Sequence, residues 1–118
     1  MPTTNSILDS TDSESYAAGQ TVFQEGQLGD RMYVVKEGNI DLLIRGRLVA
    51  SVGRGGILGE MALIDTKSRS ATAIARTDCQ LVPINEERFT SLVQQNPHFA
   101  LQVMRVLAQR LRHMDEQL

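Results

Sequence analysis

The residues best suited to chemistry lie between Gly53 and Thr72. The segment reads Gly53-Arg54-Gly55-Gly56-Ile57-Leu58-Gly59-Glu60-Met61-Ala62-Leu63-Ile64, then Asp65-Thr66-Lys67-Ser68, then Arg69-Ser70-Ala71-Thr72. Glycines let a backbone come close to a ligand. Free amides at the start of a short helix favour an anion. An arginine offers a planar fork to two phosphate oxygens, and the Ser70 hydroxyl adds a donor. A carboxylate beside phosphate would repel it, so Glu60 needs another task. Accepting hydrogen bonds from a sugar hydroxyl is one. An anion receptor and a hydroxyl acceptor nine residues apart point to a sugar phosphate or a nucleotide. The competing reading is a surface ion pair between Glu60 and Arg69 beside a structural turn. The segment is not a dinucleotide fingerprint, because that spacing, counted from Gly53, needs glycine where Leu58 stands. No Gly-Lys-Ser/Thr follows, so it is not a triphosphate loop either.

The rest of the chain must hold this segment in place. All nine glycines fall between Gly19 and Gly59. The first half is therefore rich in turns, and the second can hold helices. Residues 1–15 carry Asp9, Asp12 and Glu14 and read as a mobile polar tail. Strands are expected at Thr21 to Gln24 and at Arg31 to Glu37, with a turn over Glu25 to Asp30. Ile40, Leu42 and Ile44 alternate with polar residues, and after a reversal at Arg45-Gly46-Arg47 so do Leu48, Ala50 and Val52. Ser70 to Ala75 and Cys79 to Asn85 supply two more strands. Short strands at regular spacing predict an antiparallel sandwich or barrel.

The end reads as helical. Asn85 caps a helix whose first turn holds Glu86 and Glu87, favourable at the positive helix end. Phe89, Leu92 and Val93 are its buried stripe. Asn96-Pro97 stops that helix and starts another, which runs from about Pro97 to the end. In it Met104, Leu107, Leu111, Met114 and Leu118 keep heptad spacing. The stripe is expected either to dock on the protein's own sheet or to form a coiled-coil dimer seam, and two heptads do not decide.

Composition narrows the function. The chain has 118 residues, 42% hydrophobic and 22% charged, which suits one globular domain. No apolar run is long enough for a membrane span, and no signal peptide is visible. The single cysteine, Cys79, excludes an internal disulfide framework and reads as a small core residue. A net charge of −2 calls for no nucleic-acid surface. His98 and His113 read as surface residues, His113 also as a group that could approach a ligand. No nucleophile–base pair or metal cluster has sensible spacing. A cytoplasmic, non-enzymatic domain without metal or cofactor is expected, meeting a small molecule or another protein.

Gly59-Glu60-Met61-Ala62-Leu63 followed by Arg69-Ser70-Ala71-Thr72 resembles the phosphate-binding cassette of the cyclic nucleotide-binding domain family. That family includes Crp–Fnr regulators, protein kinase A regulatory subunits and cyclic nucleotide-gated channels. Ala18 to Gly26 and Met32 to Gly38 resemble its first strands and turns. The resemblance covers about residues 16–118 and implies a mainly β fold with C-terminal helices. The fold would be an antiparallel jelly-roll barrel over about 18–85, with helices over about 86–118. It implies a cyclic nucleotide ligand, cyclic AMP favoured over cyclic GMP. Glu60 would accept the ribose 2′-hydroxyl, Arg69 would pair with the cyclic phosphate, and Ser70 would donate to phosphate or to a guanine edge. Gly59, Met61, Ala62 and Leu63 would form the short helix whose amides face phosphate. Val49, Ile57, Leu58 and Ala71 are candidates for the base pocket; the stripe of Leu107, Leu111 and Met114 is the nearest apolar cover for it, with Arg110 or His113 as a cationic or stacking lid. Met114 and Asp115 stand where Crp–Fnr regulators offer hydroxyls to adenine, so selectivity does not carry over. No DNA contact and no membrane contact are expected. A homodimer or a protein partner would meet the C-terminal helix.

Overall fold

The computed structural model describes residues 12–64 and 68–117, with backbone alone for 113–117. Residues 1–11 of the expected tail, the Asp65-Thr66-Lys67 loop and Leu118 lie outside the described residues. So do the side chains of His113, Met114 and Asp115.

Among the described residues the chain forms eight strands and three helices. The strands are β1 (Glu14–Tyr16), β2 (Thr21–Phe23), β3 (Arg31–Glu37), β4 (Ile40–Ile44), β5 (Arg47–Val52), β6 (Ile57–Leu58), β7 (Thr72–Ala75) and β8 (Cys79–Asn85). The helices are α1 (Met61–Ile64), α2 (Glu86–Gln95) and α3 (His98–Gln117). Two four-stranded sheets face each other, ordered β1-β8-β3-β6 and β2-β7-β4-β5. Every pairing is antiparallel. This is the antiparallel sandwich that the strand spacing predicts, and it is consistent with the jelly roll that the resemblance implies, as two sheets and not a closed barrel. No described helix is long and apolar enough to cross a membrane.

The two sheets differ in what covers them, and the sequence shows why. Met32-Tyr33-Val34-Val35 in β3 is an unbroken apolar run, all four residues buried. Such a run suits a strand covered on both faces. Tyr33 and Val35 point between the sheets, where they meet Phe23, Ile40, Leu42 and Leu58. Met32 and Val34 point the other way, onto Ile57, Ile84, Phe99 and Val103. The helices therefore roof the outer face of the β1-β8-β3-β6 sheet. Pro83 sits in β8 opposite Tyr33, but β1 reaches only as far as Leu81. The missing Pro83 amide costs nothing there, because no strand pairs on that side. Cys79 is a buried core residue, as expected, with Sγ 3.1 and 3.3 Å from the carbonyls of Thr77 and Asn39.

Three sequence expectations are corrected. The polar tail ends earlier than residue 15, because Glu14–Tyr16 pairs with Cys79–Leu81 as β1. Strand β7 starts at Thr72 rather than Ser70. The heptad stripe docks on the sheet only through Leu107: Met104 is 61% and Leu111 63% exposed. Phe99 and Val103 dock instead, with Val106 and Leu107 partly buried beside them. A helix face packed on a single sheet follows the 3.6-residue period, and this one lies beside the heptad seam.

Asn85 ends β8 and caps α2, its Oδ1 accepting from the Arg88 amide at 2.8 Å. Replacing such a cap by alanine typically costs about 1 kcal/mol. Asn85→Ala should therefore lower the unfolding free energy by about that amount, read as a lower urea midpoint at unchanged slope. A parent-like midpoint would show that packing alone sets the start of α2.

Candidate functional site

Arg69 is placed by its backbone before its side chain acts. Its amide donates to the Gln27 carbonyl at 2.7 Å, and its carbonyl accepts from the Gly26 amide at 2.9 Å. These bonds tie the residue to the turn after β2. Only 6% of Arg69 is exposed. Its Nη1 donates to the carbonyls of Arg31 at 2.8 Å and Gly59 at 3.1 Å. Its Cζ lies 4.2 Å from the centre of the Phe23 ring. Among the described residues no carboxylate forms a salt bridge with it. Burial pulls its pKa below the ordinary guanidinium value, with partial offset from Tyr33, Asp30 and Glu60. The group is thus a buried cation held by carbonyl dipoles and two rings, Phe23 and, at 6.0 Å, Tyr33, with the carboxylates of Asp30 and Glu60 acting from farther off.

Glu60 is 2% exposed and follows Gly59, whose φ of 74° only glycine adopts cheaply. That turn aims the carboxylate inward. Its Oε1 accepts from Arg110 Nη1 of α3, while Arg110 Nη2 donates to the Ile57 carbonyl at 2.6 Å. The expected alternative, a surface pair between Glu60 and Arg69, is absent. Glu60 is buried, and its partner comes from the other end of the chain.

Both charges border one cavity of about 390 Å³. Gly59, Met61, Ala62, Ser70, Ala71, Val49 and Arg110, all named above as candidates, also line it. Phe23, Leu42, Ile44, Ala50 and Ile64 line it as well and were not singled out. Leu42 and Ile44 share one face of β4, a period-2 signal that was present in the sequence. Ile57 and Leu58 do not line it. Strand alternation sends Leu58 into the core between the sheets and Ile57 under the helices. Leu63 also packs on the helix side. The amides of Ala62 and Leu63 close onto the carbonyls of Gly59 and Glu60 at 3.2 and 3.1 Å. They are engaged within the turn instead of facing the cavity. Leu107 and Leu111 of α3 close the wall opposite β4 and β5. His98 is exposed, away from the cavity.

A basic fork and a carboxylate, both buried around a mostly apolar cavity, suit a ligand with an anion, a hydroxyl and a flat apolar part. Comparison with known proteins agrees. The cyclic AMP receptor protein of Thermus thermophilus is 34% identical over 108 residues, covering 87% of this chain. The chain spans about half of that protein, 50% of its length. The crystal structure of the Thermus thermophilus catabolite activator protein superposes with a TM-score of 0.82 at 32% identity, covering 98% of this chain and 56% of that one. The EAL enzyme Bd1971 matches in its cAMP-bound and cGMP-bound forms, each with a TM-score of 0.67, at 31% and 30% identity. Those matches cover 89% of this chain but only 30% and 29% of the enzyme. Residues 13–96 match the cyclic nucleotide-binding domain, and the chain therefore belongs to that family.

Proposed function

We propose that the chain is a regulatory module that binds a cyclic nucleotide in this cavity and signals through α3. The observation that carries the reading is Arg69, a buried cation without a carboxylate partner among the described residues, bordering the same cavity as buried Glu60. A cyclic phosphate supplies the missing charge. Its oxygens meet the guanidinium edge that the two carbonyls leave open, and Ser70 adds a hydroxyl. The ribose 2′-hydroxyl donates to Glu60. The base lies against the apolar wall of Val49, Leu42 and Ala71, under Leu107 and Leu111. The module does no chemistry on its ligand, which is cyclic AMP before cyclic GMP. The name of the Thermus thermophilus relative supports that order. Ser70 could also serve guanine, so selectivity stays within about tenfold, or 1.4 kcal/mol.

Signalling follows from Arg110. It reaches from α3 to the carboxylate a ribose would use. A ligand hydroxyl at Glu60 must share that acceptor with Arg110 or displace it. Either changes how firmly α3 is held, and a ligand shifts a conformational equilibrium by its differential affinity for the two states. A second reading rests on the exposed Met104 and Leu111. In it the domain recruits a partner protein, or another copy, through α3 without binding nucleotide.

Thermal melting with each nucleotide separates the two. Ligand at about 100 times its dissociation constant adds about 2.7 kcal/mol, so the melting point should rise. Arg69→Ala should weaken binding by ten- to several-hundred-fold, about 1.4–3.5 kcal/mol, and Arg69→Lys should restore only part. No shift with either nucleotide at millimolar concentration would hand the function to the second reading. For Glu60, the parent should bind a 2′-deoxy cyclic nucleotide poorly, while Glu60→Ala should scarcely distinguish it from the ribose form. Equal discrimination by both proteins removes Glu60 from the sugar. For α3, a fluorophore on Arg112→Cys should change its emission when cyclic AMP saturates the site. The same label in an Arg110→Ala background should respond far less. A silent label in the parent background would show that the helix carries no signal.

A further inference from the structure

Six glycines have positive φ, including Gly26 at 89° and Gly59 at 74°, but Gly29 is not among them. Its backbone would accept alanine. Space, not conformation, excludes a side chain there. A Cβ at position 29 would fall 2.4 Å from Arg69 Nε, 2.5 Å from Cζ and 2.9 Å from Nη2. An atom in the guanidinium plane, beyond the Nε–Nη2 edge, would be clearly farther from Cζ than from either nitrogen. The Cβ position therefore lies over a face of the guanidinium. Phe23 cannot stack on that same face, because its ring would then lie nearer to the Cβ position than Nη2 does. The guanidinium is thus held between the bare Gly29 backbone over one face and the Phe23 ring, whose centre lies elsewhere around it, 4.2 Å from Cζ. With Nη1 tied to two carbonyls, the slot leaves the planar group a single seat.

We propose that Gly29 is a positioning residue for ligand recognition: its missing side chain is one wall of the slot that holds the Arg69 guanidinium. The inference rests on the assignment of Arg69 to phosphate. It assigns a binding role to a turn that does not line the cavity. The three atoms that a Cβ at position 29 would meet first all belong to the Arg69 guanidinium, so the clash falls on the end of that side chain and not on backbone. What is lost is the seat.

Calorimetric titration of cyclic AMP into four versions of this chain tests this: the parent, Gly29→Ala, Arg69→Ala and the double variant, each also unfolded in urea. Gly29→Ala should bind at least tenfold more weakly with a near-parent urea midpoint. The double variant should bind like Arg69→Ala, because no guanidinium remains to displace. With Arg69→Lys, whose head has no planar Cζ and Nη2, Gly29→Ala should cost much less than in the parent. If Gly29→Ala binds like the parent while Arg69→Ala is weak, this inference falls and the phosphate assignment stands. If Arg69→Ala binds like the parent, the phosphate assignment itself falls. An equal loss from Gly29→Ala with and without the arginine would make its role structural and overturn the proposal. Should Gly29→Ala fold only when Arg69 is also alanine, the clash is with the guanidinium and the proposal holds. Failure to fold in both backgrounds overturns it.

Discussion

Arg69 carries its charge inside a mostly apolar wall. Taking a cation out of water costs several kcal/mol unless dipoles or opposite charges replace the lost hydration. Here the replacements are the Arg31 carbonyl, the Gly59 carbonyl and the Phe23 ring. They belong to the first residue of β3, the turn before α1 and the last residue of β2. One side chain thus ties together three separate segments. The carbonyl of Gly59 does double duty, since it also accepts the Ala62 amide that opens α1. The short helix, the glycine turn and the guanidinium are a single construction.

Glu60, the next residue along, solves the opposite problem by other means. Its carboxylate is buried as deeply, but its counter-charge arrives on Arg110 of α3. Losing one partner of a buried pair leaves an uncompensated charge, which is far costlier than losing a surface contact. The position of α3 is therefore set twice. Phe99 and Val103 dock it through apolar contact, and Arg110 fixes its distal half at the cavity rim. Between these anchors Met104 stays open to solvent, while Leu107 is partly buried against the sheet.

Much of this was legible before any coordinates. Strands β3 and β8 occupy Arg31–Glu37 and Cys79–Asn85, as the sequence predicts, because Gly38-Asn39 and the Asn85 cap punctuate them. Strands β1 and β6 escaped notice. Three and two residues are too few to show a period, and both exist only because β8 and β3 pair with them. At the site, Glu60 and Arg69 announced themselves by residue type and spacing. Their partners did not. A carbonyl acceptor carries no sequence signal, and nothing local links Arg110 to a carboxylate fifty residues away. The Phe23, Leu42 and Ile44 walls were visible as apolar strand positions, but only the folded sheet shows which face they share with the charges.

Cys79 gives the molecule a built-in clock. Its thiol is enclosed by the turn carbonyls of Asn39 and Thr77 and by the inter-sheet core. An alkylating reagent reaches it only when the start of β8 separates from its neighbours. The alkylation rate thus counts openings of this one sheet corner, in the manner of amide exchange. Because β8 pairs with both β1 and β3, the clock runs on the cooperative breathing of that sheet rather than on motion of the helix tip.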